Sequence, residues 1–167
     1  MDIRGPEVQF TLEEAHWASQ ALFVFHHGLT QKIVDAHLSF AQTHCPEAAP
    51  EPIVVPDMSG LGQIADKTVQ AKRAVAATNA LEWVHNLYEV TQPHAVMVDG
   101  EETHAITVEL TPQEKRIILD SAEVDYEDVP ALLDARPSAL QRRGKQYAKL
   151  LPSIIVALSM DLNPPEL

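Results

Sequence analysis

The chain has 167 residues, 46% of them hydrophobic and only 5% aromatic, and carries a formal net charge of −12. Its length suits one domain with a sizeable core built from Leu, Ile, Val and Ala, so no second independent domain is expected within residues 1–167. The acidic balance argues against non-specific binding to nucleic acid, whose phosphates need Lys and Arg, and the single cysteine, Cys45, excludes an intramolecular disulfide or a thiolate cluster within one chain.

The charge is polarised. Residues 1–81 sum to −4, residues 82–134 to −11 and residues 135–167 to +3. The first ten residues lack the basic region and apolar run of a secretory signal. The longest apolar run near the C-terminus, LLPSIIVALSM, is too short for a bilayer. A cytoplasmic protein without membrane contact is the expectation.

Residues 1–10 read as an extended entry. Thr11-Leu12-Glu13-Glu14 matches a capping box, in which a hydroxyl and a glutamate satisfy orphan amides reciprocally. Apolar residues then recur at steps of three or four from Ala15 through Leu22, Phe25, Leu29 and Ile33 to Phe40. Because the stripe keeps its phase past Gly28, one helix over 11–44 is expected, with a bend at that glycine. Pro46, Pro50, Pro52 and Pro56 mark a stiff linker over 46–58.

The longest uninterrupted helical pattern covers 60–90, with Ser59 or Asp57 as its cap and a broad apolar face from Leu61 to Leu87. Lys72 and Asn79 are the polar residues nearest the centre of that face. A long helix, a short linker and another long helix predict an antiparallel helical hairpin, which brings the Trp17 and Trp83 ends of the two helices together.

After Pro93 the period changes to two. Val, Ile and Thr flank Asp99-Gly100, which predicts a β-hairpin over 94–110. A two-residue loop would set Val96 and Val98 opposite the Ile106, Val108 and Leu110 face, and an odd loop would set them on it. Thr111-Pro112-Gln113-Glu114 is a second capping box, opening a helix over 112–122. The acidic stretch SAEVDYEDVP reads as a solvated loop, followed by helices over 129–135 and 139–160, the last passing through Pro152. The fold class is mostly α (α+β).

Three Glu-x-x-His pairs occur, at Glu13/His16, Glu82/His85 and Glu101/His104. On a helix this spacing puts both side chains on one face, as in carboxylate-bridged dimetal sites of helical bundles. Glu13, His16, Glu82 and His85 lie near helix ends that the hairpin brings together, so they are candidate ligands for a transition metal ion. Against this, Glu82 and His85 fall on the polar side of their helix. His26, His37 and His44 are spaced too widely to share an ion and read as helix residues with satisfied rings. Cys45 beside His44 lacks the context of a nucleophile and its base. No phosphate-binding loop, Gly-x-Ser-x-Gly elbow or His-Glu-x-x-His pattern occurs, which weakens the enzyme reading.

The leading functional expectation is a non-enzymatic interaction module of inhibitor, immunity-type or assembly kind. Its acidic residues Glu101, Glu102, Asp120, Glu123, Asp125, Glu127 and Asp128 would bind a basic protein partner. No cofactor is required on this reading. The alternatives are the metal-binding protein and a structural homo-oligomer component, and self-association is expected. The basic cluster Arg136, Arg142, Arg143, Lys145 and Lys149 folds against the acidic segment or joins one subunit to another.

Overall fold

The computed structural model describes residues 1–60, 63–134 and 138–164, with side chains for all of these except 129–134 and 138–147. The fold is mostly α with a small antiparallel β component. In chain order the elements are β1 (Asp2–Arg4), β2 (Glu7–Phe10), α1 (Leu12–Ala21), α2 (His27–His44), α3 (Lys67–Thr91), a 3-10 turn (Gln92–His94), β3 (Met97–Val98), β4 (Glu101–Glu102), β5 (Ile106–Glu109), α4 (Pro112–Asp134) and α5 (Ser138–Leu162). Two compact units form, Gln9–Val108 and Met1–Val8 with Glu109–Leu167.

In the Gln9–Val108 unit, α1, α2 and α3 pack against one another. The helix expected over 11–44 is two helices, broken at Leu22–His26 rather than bent at Gly28. From Phe23 to Gly28 every residue is a weak helix former. Phe23 turns into the core while Phe25, which the stripe assigns to the buried face, is 81% exposed. The Thr11 capping box opens α1 as the motif predicts, Glu14 N donating to Thr11 Oγ1 and Thr11 N to Glu14 Oε1.

The proline-rich segment folds back on α2. Gln31 reads its backbone like a strand neighbour, Nε2 donating to Ile53 O and Oε1 accepting from Val55 N, both at 2.7 Å. Ile53 and Val55 thereby join Val34, Leu38 and Ala41 of α2, Cys45 just after it, and Ala77, Ala80, Val84 and Leu87 of α3 in one apolar cluster.

The helix expected over 60–90 begins at Lys67. Its cap is Asp66, whose carboxylate accepts from Thr68 N and Val69 N, instead of Asp57 or Ser59. Asp57 accepts from the amide and hydroxyl of Ser59 in a local turn. Leu61, the first residue of the expected face, lies outside the described residues.

The hairpin is shorter than 94–110. Met97 pairs with Glu102 and Val98 with Glu101, closed by Asp99 at φ 53° and Gly100 at φ 82°. These positive angles suit a two-residue turn matched to strand twist. Residues 106–109 leave it for a longer partner. β1, β2 and β5 form a three-stranded sheet in the order β1-β2-β5. Ala105 N donates to Phe10 O and Leu110 N to Pro6 O, both 2.8 Å, so β2 and β5 run antiparallel.

In the second unit α4 and α5 pack along each other. Ile118, Leu119 and Ala122 of α4 and Leu151, Ile154 and Leu158 of α5 are buried, at helical spacing. The Thr111 capping box is formed, with Glu114 N to Thr111 Oγ1 at 3.1 Å and Thr111 N to Glu114 Oε1 at 3.0 Å. One helix runs from Pro112 to Asp134 where a helix over 112–122, an acidic loop and a helix over 129–135 are predicted. Packing on α5 outweighs the like-charge repulsion along SAEVDYED, worth only about 0.2–0.5 kcal/mol per pair. α5 continues through Pro152. Among the described residues no helix is long and apolar enough to cross a membrane.

Candidate functional site

The C-terminal end of α3 gathers the aromatic and titratable side chains that the Glu-x-x-His pairs single out. His16 of α1 stacks on Tyr88 of α3, ring centroids 4.3 Å apart and planes 12° apart. The His85 ring lies 5.5 Å from that of His16, tilted by 44°. Gln20 Nε2 donates to His16 Nε2 at 3.2 Å, which places the proton of a neutral His16 on Nδ1. His85 Nε2 faces Glu89 Oε1 at 2.9 Å. Burial, helped by the carboxylates of Glu13 and Glu102, pushes the Tyr88 hydroxyl up to about 12. Tyr88 therefore stays a neutral phenol across ordinary pH.

Glu102 does structural work here. Its Oε1 accepts from Leu12 N at 2.7 Å, so the N-terminus of α1 is held by a carboxylate from β4 as well as by its own Glu14. A helix N-terminus attracts anionic groups through its unpaired amides and its dipole. Burial raises the Glu102 carboxyl above its ordinary value, and hydrogen bonds from the Leu12 and Glu13 amides oppose that shift.

Of the candidate metal ligands, His16 and His85 come together, Glu13 is half-buried beside Tyr88, and Glu82 is exposed. Among the described residues no group of three or more His, Cys, Asp or Glu side chains is arranged to hold a metal ion. His16 instead makes a stacked contact with Tyr88 that joins α1 to α3, with His85 tilted beside it. Burial pushes the Cys45 thiol up, the opposite of what an activated nucleophile needs.

The carboxylates proposed to bind a partner divide differently from their order in sequence. Glu101 is exposed in the β3–β4 hairpin and Glu102 is engaged at α1. On α4, Asp120, Glu123 and Glu127 recur at i, i+3 and i+7 and are exposed, with exposed Asp128 beside them and Asp125 half-buried. Among the described residues, no ion pair within the 4.0 Å bonding range is formed by Asp120, Glu123, Glu127 or Asp128. Of the basic cluster, Lys149 is exposed, Arg136 lies outside the described residues, and the side chains of Arg142, Arg143 and Lys145 do as well.

The chain matches no protein-family model, no curated protein and no solved structure.

Two buried polar residues carry structure: His37, read from the sequence as a helix residue with a satisfied ring, and Lys115, which is not among the residues singled out from the sequence. His37, wholly buried, places Nε2 2.7 Å from Thr91 Oγ1. Thr91 spends its own proton on Leu87 O at 2.8 Å, so His37 Nε2–H is the donor. Lys115 is buried, with Nζ donating to Gly5 O at 2.6 Å and to Asp161 Oδ2 at 2.9 Å. Lys115 occupies an apolar position of the α4 stripe together with Ile118 and Ala122, and that is the signal that marks it.

Proposed function

We propose that this chain is a non-enzymatic interaction module that binds a basic protein surface through the exposed α4 face of Asp120, Glu123, Glu127 and Asp128. The observation that carries the reading is that the densest acidic stretch forms a regular helix face. Like charges three and four apart, Asp120/Glu123 and Glu123/Glu127, oppose helix formation. A cationic partner relieves that repulsion, so binding stabilises the helix it uses. Tyr88 and Cys45 are both held in their protonated forms, so neither is offered as a nucleophile on this reading.

The test is affinity capture from the native source with wild type and with D120N/E123Q/E127Q/D128N. A basic protein retained by the first, released as salt rises and lost with the second is the expected result. An identical set of proteins retained by both chains refutes it.

A further inference from the structure

α3 holds together unevenly. From Ala77 onward it buries Ala77, Ala80, Val84, Leu87 and Thr91. From Lys67 to Ala76 every residue except half-buried Gln70 is exposed. Those ten residues make about 15 Å of helix, a length that is marginal alone in water. Asp66 caps the segment and Gln70 Nε2 donates to Ile64 O. Its outward strip is not simply polar. Val69 and Ala76 flank Lys72 at steps of three and four, and Val69 and Val75 are 39% and 60% exposed.

The charge of the segment limits what can cover it. From Lys67 to Leu81 there are three bases, Lys67, Lys72 and Arg73, and no acid. Asp57 is lowered chiefly by its hydrogen bonds from Ser59 and to a small extent by Arg73; Lys67 and Lys72 form none of the salt bridges among the described residues. Two such segments repel one another, so symmetric pairing of this half of α3 with itself is disfavoured. The complementary surface occurs in the same sequence. Asp120–Asp128 of α4 has five acids and no base, and exposed Val124 sits between Asp120 and Glu127 on the helix face. One face is a lysine between apolar residues; the other is an apolar residue between carboxylates.

We infer that the exposed half of α3 of one copy docks on the acidic α4 face of a second copy of this chain. This rests on the reading of the α4 face as an interaction surface and names its basic partner. Complementary charge sets register and partner choice in such contacts. Three helical turns bury less than the ~1,200 Å² of a stable interface, so association is weak and grows with concentration. The overall charge of −12 opposes it at long range, but at about 0.15 M salt that repulsion is screened beyond ~8 Å.

The experiment is sedimentation equilibrium at that salt, up to about 1 mM protein, on wild type, K67E/K72E and D120K/E123K/E127K. All five positions are exposed, and far-UV circular dichroism checks each fold, with K67Q/K72Q as a milder substitute. Wild type is expected to rise above its 18.4 kDa monomer mass. Each reversal is expected to weaken association tenfold or more, and an equimolar mixture of the two variants to recover it. The α4 reversal is the sharpest arm. It removes negative charge, so if general repulsion alone governed association, this variant would associate more strongly than wild type, and that result overturns the inference. A wild type that stays monomeric also overturns it. In that event capture of a basic protein that depends on the α4 carboxylates still supports the α4 surface, and the two failures are told apart.

Discussion

His37 makes the stability of the Gln9–Val108 unit depend on pH in a calculable way. Burial, with a further push from nearby His16, lowers its pKa from 6.5 to about 3. In the unfolded chain the ring titrates near 6.5. Between pH 6.5 and 3 the unfolded state therefore binds a proton that the folded state refuses, and stability falls as pH falls, by about 1.4 kcal/mol per pH unit. At pH 4.5, two units below the unfolded pKa, the loss is about 2.7 kcal/mol, a large share of the ~5–15 kcal/mol that holds a domain together. His37→Gln keeps an Nε2 donor for Thr91 Oγ1 and removes the titration. Guanidinium unfolding of both proteins at pH 7.5 and 4.5 is the assay, followed by tryptophan fluorescence, because Trp17 and Trp83 both lie in this unit. The variant is expected to be about 1 kcal/mol less stable at pH 7.5 through imperfect fit, and to lose about 2.7 kcal/mol less than wild type on acidification. Carboxylates common to both proteins cancel in that difference. Parallel losses, equal within about 0.5 kcal/mol, refute the assignment of the acid sensitivity to His37.

The other predictions follow from single contacts. Glu102→Ala strands the Leu12 amide and removes a charge from the N-terminus of α1, costing about 1–2 kcal/mol in the same unfolding assay; no measurable change means that water replaces the carboxylate. Lys115→Met leaves Asp161 unpaired and Gly5 O without its donor, and because Asp161 is partly exposed the cost is about 2–3 kcal/mol, below the 3–5 kcal/mol of a fully buried pair. A melting temperature within a degree of wild type contradicts this. Cys45, buried with its thiol pushed up, is expected to react with an aromatic disulfide reagent only after unfolding, and rapid stoichiometric labelling of the native protein shows the opposite.

The capping boxes at Thr11 and Thr111 were legible because they are settled within four residues, hydroxyl to amide and carboxylate to amide. The break between α1 and α2 was not, because the stripe from Ala15 to Phe40 stays in phase across it. What decides there is whether Phe23 or Phe25 is buried, a tertiary question. The same limit applies to residues 106–109. Their alternation was clear, but β2 lies roughly a hundred residues away in sequence, whereas Asp99-Gly100 is adjacent and suggests a nearer partner. The acidic run misleads for a different reason. Its charge resembles a solvated loop, and the apolar residues that make it a helix, Ile118 and Leu119 before the run and Ala122 at its start, are buried where α4 packs with a helix that begins after the run. Glu102 and Lys115 act through partners 90 and 110 residues away, beyond any local pattern.

The broad apolar face expected along 60–90 combines two surfaces that the structure separates. One strip, Ala77 to Thr91, is buried. The strip through Val69, Lys72, Ala76, Asn79 and Trp83 is rotated away from it and exposed, Trp83 to 50%. Lys72 and Asn79 were therefore not exceptions inside a core face, since they belong to a surface with its own heptad spacing. A single Lys or Asn at such a position commonly lowers stability while restricting which partner fits. A helix that only needed to complete a core could end near Ala77. The three further turns, with valines facing water, bury none of the apolar residues of Lys67–Ala76 in the unit itself, and the docking proposed above accounts for them as a surface for another chain.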